Sequence, residues 1–181
     1  MIALNYRMGH STVCEFLKPV CDAIWKALRP TSFPELTKEY WLYQAEGFAD
    51  RWNFPHCLGA VDGKHVKVQA PFTSGSLYYN YKGWFSIILL GIVGFDYRFV
   101  YINVGSYGCQ GDSQIFVDSR FGQLIESEEL NIPPASLLPN DTNGKAFPYF
   151  FLADGAFALA INVMKGYAVG GLAEAERIFN Y

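Results

Sequence analysis

The chain has 181 residues, 51% of them hydrophobic and 17% aromatic, and a formal net charge of −3 at pH 7. That composition supplies a sizeable core and excludes both a disordered chain and a strongly basic nucleic-acid binder, while leaving room for a local basic patch or a metal-dependent site. The longest apolar run, FSIILLGIVGF at 85–95, falls well short of the ~20 residues that span a bilayer, so no membrane role is expected. The opening MIALNYRMGHS has no long apolar run and does not read as a secretory signal. Cys14, Cys21, Cys57 and Cys109 are irregularly spaced, without a C-x-x-C pair, and read as free thiols of a soluble protein in a reducing compartment. His10, His56 and His65 lack the helical spacing that sets two imidazoles on one metal.

Residues 9–29 predict a helix with Val13, Phe16, Leu17, Val20, Ile24 and Leu28 at helical spacing. Ser11 or Thr12 is the expected cap, Pro19 predicts a kink or break, and Pro30 ends the segment. Residues 34–52 predict a second helix, capped by Thr37, with Trp41, Ala45, Phe48 and Trp52 as a packing stripe. Strands follow at 57–68, 84–94 and 98–106, with a hairpin turn at 94–98. Residues 111–127 turn helical, with Asp112 or Ser113 as cap, and 131–148 read as a long loop. A fourth strand within 147–159 ends at Asp154, and 172–181 begins another helix. The order describes an α/β domain over 53–181 with an N-terminal helical segment over 1–52.

Three aspartates interrupt this pattern. Asp62 and Asp154 each end an apolar run and precede glycine, in GAVDG and FLADG, and Asp112 sits where a strand hands over to a helix. Taken singly, each reads as a turn residue or a cap. Together they suggest a divalent-cation site, because strand, strand, strand, helix, strand topology can set the first and fourth strands side by side. Mg²⁺ and Mn²⁺ prefer oxygen ligands, and two such ions can promote phosphodiester chemistry.

The segments RWNFPHCLGAVDGKHVKVQAP, GSLYYNYKGWFSIILLGIVGFDYRFVYINVGSYG, GDSQIF, FFLADGAFAL and ERIFNY resemble, in order, the core of the PIF/Harbinger transposases, especially the transposase-derived nucleases of animals. The resemblance runs from about residue 8 to the last residue. It implies an RNase H-like mixed sheet flanked by helices, and an Asp-Asp-Glu set that binds Mg²⁺ or Mn²⁺ for DNA cleavage. Carried across, Asp62 and Asp154 are the catalytic acidic residues, and Asp62, Asp112 and Asp154 the metal ligands. The glutamate of the set is expected in a motif resembling S-R-A-R-x-x-x-E-N-x-F-G after FNY, and the sequence reaches only Tyr181. Glu174 and Glu176 do not match that motif and read as solvated helix face. The resemblance thus implies a C-terminally truncated nuclease domain, inactive alone. It further implies that YRMGHSTVCEFLKPVCDAIWKAL is the remnant of a helix-turn-helix region. DNA and a Myb-like DNA-binding protein are the implied partners, and the nucleus, with the cytoplasm second, the implied location.

Lys64, His65 and Lys67 follow Asp62, and Lys82 lies among Tyr78, Tyr79, Tyr81 and Trp84. Basic residues interleaved with aromatics hold phosphates and stack bases. With the resemblance, Lys64 and Lys82 become the expected DNA contacts, while His65 either orients a carboxylate or packs. Two other functions compete with the nuclease: a non-catalytic domesticated protein acting through the Myb-like partner, and a phosphatase or other metallohydrolase using the same carboxylates.

Overall fold

Apolar runs rich in β-branched residues form the centre of the domain. The computed structural model describes residues 2–168 and 170–180. The chain forms two compact units, Met1–Pro34 and Glu35–Tyr181. The first holds α1 (Ile2–Asn5) and α2 (His10–Ser32). Helix α2 runs unbroken through Pro19 and Pro30, so the expected break does not occur. Each proline removes one backbone donor, and the helical turns on either side carry the axis past it. Gly9 is the N-cap and makes no side-chain cap bond, so neither Ser11 nor Thr12 serves as the cap. None of the helix's described residues is buried, and Phe16, Leu17, Val20, Ile24 and Leu28 are each about half exposed.

The second unit starts before the strands. Helix α3 (Lys38–Trp52), grouped with the N-terminal segment by the sequence pattern, belongs to it. Thr37 caps α3 by accepting from the Tyr40 N–H at 3.2 Å. Trp41, Ala45 and Phe48 are buried, whereas Trp52 is half exposed and its indole N–H donates to the Phe95 carbonyl.

Strands β1 (Cys57–Lys67), β2 (Ser86–Val93) and β3 (Phe99–Tyr107) form an antiparallel meander. The β2–β3 turn closes through Gly94 N to Arg98 O and Tyr97 N to Gly94 O, with Tyr97 at φ 65°. The expected single helix over 111–127 is two, α4 (Asp112–Asp118) and α5 (Arg120–Glu126). They part at Ser119, whose buried hydroxyl donates to the Phe116 carbonyl and accepts from the Gly122 N–H. A β-carbon at Gly122 would meet the Phe116 carbonyl, so this tight corner takes glycine.

Residues 131–148 hold no helix and only one isolated bridge, Ser136 to Phe147. Buried His56 pins this loop: its Nδ1–H donates to the Phe147 carbonyl at 3.1 Å, Nε2 pairs with Ser136 Oγ at 3.3 Å, and its ring stacks on Tyr149. Strand β4 (Phe150–Ala153) follows, then β5 (Val163–Lys165), which the sequence pattern misses. Helix α6 (Glu174–Asn180) occupies the predicted last helix, and Tyr181 lies outside the described residues.

The sheet order is β3-β2-β1-β4-β5, with β4 parallel to both β1 and β5. The core gathers Trp41, Leu58, Val61, Ile88, Leu90, Ile92, Ile115, Phe121 and Phe151, joining α3, α4 and α5 to the sheet. Among the described residues no helix is long and apolar enough to cross a membrane.

Candidate metal centre

Asp62 does not turn the chain. Strand β1 stays paired with β2 from Ala60–Val93 through Asp62–Gly91 to Lys67–Ser86, so the Asp62-Gly63 pair lies inside an unbroken ladder. On its other edge β1 pairs with β4 only as far as Val61–Ala153. Asp62 and Asp154 are therefore each the first residue beyond the last parallel pair, Asp62 midway along β1 and Asp154 just past the end of β4. Each is exposed and turns one oxygen to its own backbone: Asp62 Oδ1 accepts from Gly63 N at 2.8 Å, and Asp154 Oδ1 from Ala156 N at 2.9 Å. Among the described residues the second oxygen of each makes no hydrogen bond.

Helix α4 delivers the third carboxylate. Its N-cap is Gly111 without a side-chain bond, so neither Asp112 nor Ser113 is used as the expected cap. Ser113 Oγ instead accepts from Ala158 N at 3.3 Å, and Phe116 packs edge-on against Phe157 at 5.8 Å. These contacts tie the start of α4 to the loop after Asp154. Asp112 then lies against Gly63, where a β-carbon would occupy the place of its carboxylate. Asp112 Oδ1 is buried and has no hydrogen-bond partner. Burial holds the Asp112 carboxyl above the usual carboxylate range, with Asp62 and Asp154 adding to the rise and His65 and Lys82 opposing it.

The three aspartates gather where β4 ends beside β1, without sharing one face of β1. Side chains alternate along a strand, so Asp62 leaves β1 on the face opposite to Gly63, where Asp112 sits. Among the described residues no three His, Cys, Asp or Glu side chains are arranged to hold one ion as they stand. The donor set nevertheless fits a hard divalent cation. It offers only oxygen, and it contains a buried carboxylate oxygen that nothing in the protein satisfies.

A raised folded-state value means that the folded chain holds the Asp112 proton more tightly than the unfolded chain. The stability from that proton is complete below the ordinary carboxylate value and is lost as pH rises through the raised one. Asp112→Asn is accordingly expected to raise the melting temperature of the metal-free protein at pH 7. It should also flatten the loss of stability between acidic and neutral pH, as read by thermal melts across that range.

His65 shares the Gly63 face of β1, and its Nδ1 is hydrogen-bonded to Ser86 Oγ at 2.9 Å. Buried Asn80 donates to the same hydroxyl at 2.9 Å. Its Oδ1 accepts from the Lys82 and Trp84 N–H groups at 3.0 and 3.3 Å. Through this loop Lys82 comes close enough to act on Asp112, whereas Lys64 alternates onto the Asp62 face. The sequence pattern singles out Lys82 but misses Asn80 and Ser86; the only signal was an amide inside an aromatic run that closes on glycine. Glu174 is exposed, and Glu176 Oε2 accepts from the Ala173 N–H at 2.8 Å, serving its own helix. Two surface clefts, one lined by Leu124, Leu130 and Asn162 and the other by Leu42, His56 and Tyr149, include none of the three aspartates.

Three antiparallel strands continued by two parallel ones, in the order 3-2-1-4-5 with helices packed on the sheet, define an RNase H-like α/β domain. The chain belongs to the DDE superfamily endonuclease family, whose model matches residues 61–181. That is a family of nuclease domains that act on DNA, generally with divalent metals. No curated protein and no solved structure matches the chain.

Proposed function

We propose that the second unit is a metal-dependent DNA endonuclease domain of the PIF/Harbinger transposase-derived kind, with Asp62, Asp112 and Asp154 as ligands of Mg²⁺ or Mn²⁺. The observation that carries this reading is Asp112 Oδ1, a buried carboxylate oxygen without a partner, near two aspartates that each follow the last parallel pair of β1 and β4. Nothing in the protein compensates that oxygen, which is what a ligand position asks for. When bound, a pair of divalent ions activates the attacking water or hydroxyl and stabilises the leaving oxygen of a phosphodiester. The chain's own part is to hold the three carboxylates where β4 ends beside β1 and to set Lys64 and Lys82 as phosphate contacts on either face. DNA is the substrate, a Myb-like DNA-binding protein the partner, and the nucleus the site of action.

Neither Glu174 nor Glu176 matches the glutamate motif that the resemblance implies, and Glu176 accepts from the Ala173 N–H at the start of its own helix. A non-catalytic role through the Myb-like partner is the second reading. It draws on the absence, among the described residues, of three carboxylates converged on one point. Plasmid nicking in Mn²⁺ separates the two. Residues 1–181 are expected to nick at background, and a longer form that supplies the glutamate is expected to cleave, with Asp154→Ala abolishing cleavage. A longer form that stays silent supports the second reading, and robust cleavage by residues 1–181 means that Asp62, Asp112 and Asp154 suffice without a matching glutamate.

A further inference from the structure

The loop between β1 and β2 displays one aromatic ring in a way that packing does not explain. Tyr81 is 82% exposed, yet the backbone that carries it is held from both sides. Asn80 and Gly83 close a turn through Gly83 N to Asn80 O at 3.1 Å, and Asn80 N bonds to Trp84 O at 2.9 Å. The Asn80 side chain, 3% exposed, ties both arms of that turn to Ser86 at the start of β2. Tyr81 and Lys82 are therefore the two central residues of a turn clamped by a buried amide, and Tyr81 puts nearly its whole side chain into solvent.

The ring lies on the side of β1 that faces Asp112. His65 meets Tyr81 edge-on at 5.5 Å and Trp84 at 5.9 Å. His65 follows Gly63 by two positions on the same face of β1, and the Asp112 carboxylate lies against Gly63. Lys82 Nζ stands 5.3 Å from the Tyr81 ring centroid, so a cation accompanies the ring. An exposed ring on a clamped turn, with a lysine ammonium over one face, matches one nucleic-acid chemistry, a base stacked on the other face with its phosphate held by the ammonium. Bases inside a duplex stack on one another and offer only their edges, so the ring's open face is useful to a base outside the stack.

We propose that Tyr81 is a stacking platform for an unpaired DNA base flanking the scissile phosphate, so that the site takes single-stranded or locally melted DNA in preference to intact duplex. The proposal deepens the nuclease reading above and rests on it for the place of the phosphate.

The test uses the 181-residue chain and an oligonucleotide carrying 2-aminopurine, single-stranded or paired in a duplex, without metal. The single strand is expected to bind more tightly, with quenching of the 2-aminopurine. Tyr81→Ala should weaken single-strand binding by about tenfold and remove the quenching, while Tyr81→Phe keeps both. Duplex binding should not change with Tyr81→Ala. Tyr81 is a surface residue of a turn held by Asn80, so the alanine variant is expected to melt with the wild type. Overturning results are no quenching by the wild type, equal single-strand affinity for wild type and Tyr81→Ala, or a duplex that binds as tightly with the same dependence on Tyr81. A Mn²⁺ titration of the same preparation reads the nuclease assignment separately. Wild-type protein that binds no Mn²⁺ removes that assignment, and with it the proposed scissile phosphate, whatever the stacking result.

Discussion

Gly63→Ala is expected to leave the fold standing and to weaken Mn²⁺ binding by about 10–100-fold, the usual effect of disturbing the immediate surroundings of a metal ligand. The β-carbon it adds falls on the Asp112 carboxylate, meeting Oδ1 and Cγ. Gly63 itself is an ordinary strand residue, paired with Leu90 of β2 and without a positive φ, so alanine costs its backbone nothing. The whole effect therefore passes to Asp112, which sits at the first residue of α4 and has to leave the face of β1. Thermal melts without metal should change little, while the Mn²⁺-induced rise in melting temperature disappears. Unaltered Mn²⁺ affinity in Gly63→Ala means that Asp112 does not act from its place against β1.

Trp41→Ala is expected to destabilise the second unit by about 3–5 kcal/mol, read as a lower urea midpoint at an unchanged slope. Trp41 is fully buried on α3, and its indole meets Phe151 and Phe121 edge-on at 5.4 and 6.3 Å. Its N–H donates to the Leu130 carbonyl at 2.8 Å, so one side chain joins α3, α5, β4 and the start of the long loop. Removing it opens a large void and strands a buried carbonyl. Trp41→Phe should cost less, mainly the unpaired Leu130 carbonyl, at about 1–3 kcal/mol. Against a total of about 5–15 kcal/mol for a domain, the alanine change alone brings this unit near its limit.

The parts of this fold that sequence makes legible are those where one period dominates. The runs of β1, β2 and β3 alternate or stay apolar throughout, and α3 carries its cap and its core stripe at helical spacing. The strand read over 57–68 runs through Asp62-Gly63, a pair with the composition of a turn, because the ladder to β2 keeps it extended. Two features depend on partners distant in sequence and could not be read. Strand β5 has three residues, and it exists because β4 offers it an edge. The 111–127 segment is periodic enough for one helix, yet the Ser119 hydroxyl and the close approach at Gly122 break it into two.

The candidate site divides along the same line. Asp62 stands out in sequence because a carboxylate is poorly suited to an apolar strand, Asp112 and Asp154 because each falls where a strand hands over. The register of β1 and β4 does set Asp62 and Asp154 just beyond one parallel pairing. The buried state of Asp112 Oδ1 and the Asn80–Ser86 clamp arise from side-chain packing across the fold, and the one trace of the clamp in sequence is an amide inside an aromatic run.

The measurement that bears most directly on the metal-centre account is a Mn²⁺ titration of the 181-residue chain by calorimetry, with Asp62→Ala and Asp112→Asn beside the wild type. The account predicts saturable binding by the wild type and its loss in both variants, each of which still melts cooperatively. Wild-type protein that takes up no Mn²⁺, or an Asp62→Ala variant that binds it as the wild type does, contradicts the account.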